Sequence, residues 1–232
     1  MEQQHKRSDV VIICPKAKGI TSLLAKWCGE YARILEEDGA KVFVLADTQT
    51  TRESLLEALS DRESGWVLVY LGHGTCGSLV RQYRKCFKSR VETLLTPGDL
   101  ETLNCMHAYG FCCYSAALFK QCLEKDGRSY LGFLKKCYAY LRTSGDKWRD
   151  AIGAPLRGIA DGFSNEHEGV LREAFEGLRS HFSGLMEDGD PEARLHLMAL
   201  NMNLKDGNLF CQSAGGCENP SPDFSSMPTE GA

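Results

Sequence analysis

The chain has 232 residues, a formal net charge of −4 and 43% hydrophobic residues, enough to bury the core of one large domain. The negative balance provides no global basic field for nucleic acid, and no apolar run approaches the roughly 18 residues that a membrane-spanning helix needs. The eleven cysteines are scattered through apolar patterns and no export signal precedes them. We therefore expect a reducing cytoplasmic location, no structural disulfides and no structural zinc.

Strand and helix patterns alternate through the first part of the chain. Short apolar runs at 10–14 and 41–46 predict two buried strands, and the charge-free run that starts at Trp66 predicts a third. The segments between them predict helices, the first capped by Thr21 and the second opened by the capping-box pattern of residues 50–53. The order β-α-β-α-β implies a parallel sheet with right-handed crossovers.

The stretch after the third strand predicts a β-hairpin. Residues 78–80 and 91–95 are the expected arms, and the connection, residues 81–90, is rich in basic side chains. Such a connection is typical of a solvated hairpin tip, with contact to an acidic partner as the alternative.

The second half returns to strands and then becomes helical. Thr96, with a proline and an acid after it, predicts the start of a short helix. Residues 104–111 predict the fourth strand and 129–133 a fifth, with a helix over 116–123 between them; a helix over the run to Leu141 is the alternative to the fifth strand. Beyond residue 145 the periodicity is helical. We expect one domain over residues 1–212 and a disordered tail over 213–232, where Gly, Pro and Ser dominate.

A histidine and a cysteine follow the third and fourth strands. His73 lies between Gly72 and Gly74 at the end of strand three, and Cys113 follows strand four just before a helix. Sites in parallel sheets form at the carboxyl ends of strands, so adjacent strands would bring both side chains to one edge. A thiol with an imidazole base, and with the N–H groups of Gly74 and Cys113 available to an oxyanion, predicts acyl transfer.

Two segments resemble the motifs of a known family. Tyr70-Leu-Gly-His-Gly-Thr75 resembles the Tyr-Ser-Gly-His-Gly turn of caspase-like cysteine peptidases. Phe111-Cys-Cys-Tyr-Ser-Ala116 resembles their Asp-Cys-Cys-His-Ser-Gly segment, best known from metacaspases. The order of elements over about residues 8–210 is similar to that family, and residues 199–207 resemble the closing region of its prokaryotic CHAT branch.

The resemblance implies a caspase-like α/β fold: a mostly parallel sheet flanked by helices, with a hairpin after strand three and a helical C-terminal elaboration. It implies a thiol endopeptidase with His73 as base, Cys113 as nucleophile and Gly74 lending an oxyanion-hole N–H. No organic cofactor is implied, and the sequence shows no acidic loop dedicated to calcium. The implied substrate is a protein or peptide partner. Because CHAT-type peptidases act in prokaryotic defence or programmed death, we expect a role of that kind by analogy.

The sequence leaves open which residue binds the P1 side chain of the substrate. Many metacaspases have an acidic residue two positions before the nucleophile, where this chain has Phe111, so a basic P1 preference does not carry over. Lys16 or Lys18, after strand one, is a candidate for binding an acidic P1 side chain. An apolar P1 pocket walled by Phe111 is the third option. Tyr114 also departs from the family, which has a histidine there.

Other interpretations compete at each position. Cys112 is the rival nucleophile, and His107 is a weaker candidate base because it lies roughly 20 Å along the same strand from Cys113. Cys76 is a candidate redox partner for Cys113.

Residues 72–77 also fit the GxGxxG spacing of a dinucleotide site, although that motif must open a helix and normally follows the first strand. A caspase-fold interaction module with a disabled dyad is the main alternative to an enzyme.

Overall fold

The computed structural model describes residues 9–15, 20–46, 50–60, 65–85, 88–124, 127–140, 144–205 and 207–213. Lys16, Lys18 and the tail beyond Ser213 lie outside these residues. The strands are β1 (Asp9–Ile13), β2 (Val42–Leu45), β3 (Trp66–Leu71), β4 (His73–Thr75), β5 (Ser78–Lys85), β6 (Lys88–Leu95), β7 (Cys105–Phe111), β8 (Ser129–Phe133) and β9 (Leu209–Gln212). The helices are α1 (Ile20–Glu37), α2 (Arg52–Ser60), α3 (Pro97–Thr102), α4 (Ser115–Leu123), α5 (Gly145–Gly153), α6 (Asn165–Glu187) and α7 (Ala193–Asn203), with 3-10 turns at Ala154–Leu156 and Ile159–Asp161.

A six-stranded sheet with the order β2-β1-β3-β7-β8-β9 forms the centre of the molecule. Every pairing in it is parallel except that of β9 with β8, which is antiparallel. Alternate residues of β1 enter two separate cores: Val10 and Ile12 pack with α1, α5, α6 and α7, and Val11 and Ile13 pack with α2, α3 and α4. Helices therefore cover both faces, and the expected α/β fold with a mostly parallel sheet flanked by helices is confirmed.

The middle strands lie deepest. All six residues of β3 are buried, as are six of the seven in β7. A strand covered on both faces needs apolar side chains at every position, which is why these runs lack the alternation of a surface strand.

The predicted N-terminal cap is confirmed for α3, whereas the starts of α1 and α2 differ from the predicted positions by about one residue. Thr96 caps α3 as predicted, since its hydroxyl accepts from the Asp99 N–H at 3.3 Å and the carboxylate accepts from the Thr96 N–H at 2.7 Å. Thr21 lies inside the first turn of α1 and does not cap it. At α2 the reciprocal bonds join Thr51 and Ser54, at 3.0 and 3.2 Å, one residue later than the expected box. Each end is decided by which short polar side chain reaches a free N–H.

A second, antiparallel sheet of order β4-β5-β6 projects from the end of β3. The predicted hairpin is present as β5 and β6, and both arms are longer than expected. The sequence pattern does not indicate β4: His73 begins this short strand and pairs with Val80 instead of lying at the tip of a turn. Within the basic stretch, Arg81 forms a 2.5 Å ion pair with Glu92 of the facing arm.

The C-terminal part is helical from Gly145 to Asn203 apart from short connections, as predicted. Strand β9 then returns to the sheet beside β8, with Leu131 opposite Cys211, and no sequence pattern indicates it. Within the residues described above, no helix is both long and apolar enough to cross a membrane.

Candidate functional site

The carboxyl ends of β3 and β7 meet at one edge of the sheet. Leu71 and Phe111 are register partners, and the Gly72 N–H donates to the Phe111 carbonyl at 3.3 Å. His73 and Cys113 each follow two residues after this pair. Since paired strands lie about 4.8 Å apart, the two segments leave the sheet side by side. The expectation that strands three and four are neighbours is confirmed.

Gly74 packs directly on the turn that carries the two cysteines. A Cβ at Gly74 would lie 2.5 Å from the Cys113 carbonyl oxygen and 2.8 Å from the Cys112 Sγ. Such distances are too short for any side chain, so this close approach requires glycine. The antiparallel sheet and the end of β7 are therefore in contact through the residue next to His73.

The Tyr70 hydroxyl ties the antiparallel sheet to β3. Tyr70 is fully buried, and its hydroxyl lies 3.0 Å from the His73 carbonyl oxygen and 2.8 Å from the Val80 carbonyl oxygen. Both acceptors belong to the paired strands β4 and β5. The backbone of His73 is thus held by a side chain from the strand that precedes it.

The two neighbouring cysteines have different surroundings. Cys112 is 2% exposed within the core that packs on α2, α3 and α4, and burial raises the pKa of its thiol well above the usual range. Cys113 is partly exposed. A buried thiol that resists ionisation is a poor nucleophile, so the geometry favours Cys113 over Cys112.

The Cys113 thiol faces a backbone segment that follows β8. Its Sγ accepts from the Cys137 N–H at 3.4 Å and lies 3.6 Å from the Cys137 carbonyl oxygen. The residue after the thiol, Tyr114, donates its N–H to the Lys135 carbonyl at 2.8 Å. Cys137 is a member of the site that the sequence analysis does not identify, because no local pattern relates it to Cys113, 24 residues earlier.

A buried serine shapes the turn between β7 and α4. The Ser115 hydroxyl lies 2.7 Å from the Gly110 carbonyl oxygen and 3.1 Å from that of Cys112, and it accepts from the Phe133 N–H at 3.0 Å. Just before it, Tyr114 adopts a left-handed conformation with φ of 57°. A non-glycine residue held in this region costs of order 1 kcal/mol or more, and such strain concentrates at functional sites.

The His73 ring is half-buried and forms no hydrogen bond with another described residue. Burial lowers the pKa of His73, which favours the neutral imidazole that can accept a proton. His107, the weaker candidate, is engaged elsewhere: its Nδ1 lies 2.8 Å from the Ser129 hydroxyl, which also accepts from the Phe163 N–H at 2.6 Å.

Of the other candidate residues, Phe111 does not line an open pocket, and the two lysines cannot be placed from the described residues. Phe111 is 3% exposed and its ring packs on Phe133 and Phe175 at centroid distances of 5.8 and 6.5 Å, so it fills the core in place of an open pocket. Lys16 and Lys18 lie outside the described residues. Residues 72–77 continue into the β4–β5 hairpin and not into a helix.

Neither a metal-binding cluster among the described side chains nor similarity to a known protein identifies a function for this site. No group of three or more His, Cys, Asp or Glu that could hold a metal ion occurs in the part of the chain that the structure describes. No family model and no curated protein matches this chain.

Proposed function

We propose that this protein is a cysteine endopeptidase in which Cys113 is the nucleophile and His73 the general base. The observation that carries the proposal is the adjacency of β3 and β7, whose ends at Leu71 and Phe111 are paired two residues before the histidine and the cysteine. The close packing of Gly74 on the Cys112–Cys113 turn supports the same assignment, because it ties the histidine segment to the thiol segment.

The proposed reaction uses only groups at this edge. His73 takes the proton of the Cys113 thiol, and the sulfur attacks the carbonyl carbon of the scissile peptide. The Gly74 N–H stabilises the oxyanion that develops on the carbonyl oxygen. His73 then gives its proton to the leaving amine, and water releases the acyl group from the sulfur. No cofactor enters these steps.

The proposed substrate is a protein or peptide partner, and the proposed location is the cytoplasm. The cysteines within the described ranges are all free thiols, which favours a reducing compartment. Prokaryotic defence or programmed death is the setting that the motif resemblance suggests.

A thiol-reactive peptide probe tests the assignment. We expect Cys113 to be labelled in the wild-type protein, Cys113→Ala to abolish labelling, and Cys112→Ala to retain it. His73→Ala should slow labelling by roughly 10²–10⁴-fold, the usual contribution of a general base. His181→Ala, at a partly exposed histidine of α6, is the matched control and should leave the rate unchanged. Equal labelling in the His73 and His181 variants would overturn the proposed base.

A binding module of the same fold, with a disabled dyad, is the second candidate. It is favoured by one observation: among the described residues, the hydrogen-bonding neighbours of the Cys113 sulfur are the backbone atoms of Cys137, and the His73 ring is not one of them. Absence of labelling with every peptide probe, in a folded protein whose Cys113 still reacts with a small alkylating agent, would support this candidate over the enzyme.

A further inference from the structure

We propose that Cys113 and Cys137 form a reversible disulfide when the protein meets hydrogen peroxide, with Cys137 as the resolving thiol. The disulfide itself depends only on the geometry of the two residues. Its consequence, withdrawal of the nucleophile and loss of cleavage, rests on the proposed function.

The Cys113 sulfur lies against the backbone of Cys137. The Cys113 Sγ lies 3.4 Å from the Cys137 backbone nitrogen and 3.6 Å from its carbonyl oxygen. Because the N–Cα bond is about 1.46 Å, the Cα of Cys137 is within about 5 Å of that sulfur. Disulfides join residues whose Cα atoms are about 4.4–6.8 Å apart, and contact of the Cys113 sulfur with the Cys137 backbone places the two residues near that range. The proposed bond requires the side chains to rotate until the two sulfurs meet.

Two buried asparagines fix the segment that carries Cys137: Asn203 is the last residue of α7, and Asn208 directly precedes β9. Asn203 accepts from the Tyr138 N–H at 2.8 Å and donates to the Tyr138 carbonyl at 2.6 Å. Asn208 accepts from the Lys135 N–H at 2.9 Å and donates to the Lys136 carbonyl at 3.3 Å. The residues on both sides of Cys137 are therefore anchored.

The same segment is tied to the nucleophile's own turn. The Tyr114 N–H donates to the Lys135 carbonyl at 2.8 Å, which links the residue after Cys113 to a residue two before Cys137. Two thiols held in one geometry react faster than thiols that must find each other. Cys137 is thus preorganised as the partner of Cys113.

The other cysteines near the site are poorer partners. Of the cysteines that the structure describes, three are partly exposed: Cys76, Cys113 and Cys137. Cys76 occupies the β4–β5 turn, where its carbonyl accepts from the Gln121 side chain of α4 at 2.6 Å, and no contact joins it to the Cys113 sulfur among the described residues. Cys112 is buried and adjacent in sequence. The geometry therefore favours Cys137 as the redox partner over Cys76, the candidate named from the sequence.

The chemistry balances with peroxide as the oxidant. The Cys113 thiolate attacks one peroxide oxygen, the O–O bond breaks, and Cys113 becomes a sulfenic acid while hydroxide leaves and is protonated to water. Cys137 then attacks the Cys113 sulfur, the S–O bond breaks, and a second water leaves as the disulfide forms. Desolvation raises the pKa of the Cys137 thiol, so Cys137 reacts slowly with peroxide itself and acts in the second step.

Mass spectrometry of the full-length protein after peroxide treatment tests the proposal. We expect the loss of two hydrogen masses, a non-reduced proteolytic peptide pair that joins Cys113 to Cys137, and restoration of both thiols by dithiothreitol. Cys137→Ser should abolish the cross-link and leave Cys113 to proceed to sulfinic acid. Cys76→Ser is the matched control at a partly exposed cysteine and should form the cross-link at the wild-type rate.

The outcomes separate this proposal from the proposed function. A cross-link that forms in a protein that peptide probes never label would support the disulfide and refute the peptidase. Sulfinic acid at Cys113 in the wild-type protein without any cross-link, or a cross-link from Cys113 to Cys76, would overturn Cys137 as the resolving thiol.

Discussion

At the scale of single residues, two glycines of the same hairpin differ sharply in what surrounds them. Gly74 lies against the Cys113 carbonyl and the Cys112 sulfur, whereas a Cβ at Gly77 would meet nothing within 4 Å. Neither glycine has an unusual backbone conformation, so space alone distinguishes them. Comparing substitutions at these two glycines therefore tests the contact between the antiparallel sheet and the turn that carries Cys112 and Cys113.

We expect Gly74→Ala to lower the free energy of unfolding by roughly 1–3 kcal/mol, the usual cost of overpacking, because the Cys113 backbone must move. The same shift should slow probe labelling of Cys113. Urea denaturation and the labelling rate measure the two effects. Gly77→Ala is the control and should leave both near the wild-type values. If the two variants were equally stable, the close approach at Gly74 would not exist in solution.

The cysteines show what residue patterns can and cannot predict. That one of two adjacent strand-end residues faces the core follows from side-chain alternation, and the structure buries Cys112. The contact between Cys113 and Cys137 does not follow from any local pattern. It depends on Asn203 and Asn208, which lie 65 to 73 residues beyond the segment that they hold.

At the scale of elements, the junction of β7, α4 and β8 is organised by the Ser115 hydroxyl. A Cβ at Gly110 would lie 2.4 Å from the Ser115 Cβ, and one at Gly132 would lie 2.5 Å from its hydroxyl oxygen. The serine therefore occupies a space that two glycines leave open. Its bonds fix the point at which the Cys113 turn enters the helix.

Ser115→Ala should reduce the free energy of unfolding by roughly 1–3 kcal/mol, because the N–H of the buried residue Phe133 loses its acceptor. Thermal or chemical denaturation measures this loss. Ser180→Ala, at an exposed position of α6, supplies the matched control and should change stability by well under 1 kcal/mol. A Ser115 variant as stable as the Ser180 variant would show that the hydroxyl does not anchor the turn.

Elements with strong local signals were predictable, and those defined by distant partners were not. The span of β8 agrees with its apolar run, and the Thr96 cap agrees with its box pattern. Strand β9 has only four residues and pairs with a strand almost eighty residues earlier, with Cys211 opposite Leu131. Strand β4 is shorter still and contains Gly74, so its conformation is set by pairing with β5 and not by propensity.

At the scale of the whole molecule, three histidines make stability depend on pH. Burial lowers the pKa of each of His73, His107 and His196. In the unfolded chain these rings take up a proton near pH 6.5, and in the folded chain they do so only at lower pH. Between those values the unfolded chain holds more protons, so acid favours unfolding.

The free energy of unfolding should therefore be fully retained above about pH 7 and should fall as the pH drops through 6.5 toward the lowered folded pKa values. His196 is the best single test, because it is 1% exposed, accepts from the Trp148 indole N–H at 2.9 Å and stacks on Phe182. His196→Gln retains an acceptor but cannot become an imidazolium. Urea midpoints at several pH values should show a shallower slope for this variant. An unchanged slope would mean that His196 does not contribute.

More of the sheet topology than of the candidate site could be predicted from the sequence. Alternating strands and helices imply parallel pairing and covered faces, and the adjacency of β3 and β7 places His73 and Cys113 at one edge. The side chain that would bind the P1 residue of the proposed substrate was not predictable. Phe111 has the aromatic character of a pocket wall, but the packing of α6 through Phe175 closes over it.

The base and the nucleophile of the proposed dyad stand on different sheets. The imidazole is carried by the small β4-β5-β6 unit and the sulfur by the turn after β7, and Gly74 and the Tyr70 hydroxyl connect the two. The distance between the two groups therefore depends on how the small sheet is oriented against the large one. A slight rigid-body tilt of the small sheet would change this distance while every strand pairing in the large sheet stays intact. The rate of the proposed cleavage would then scale with the fraction of molecules in which the two groups are in contact.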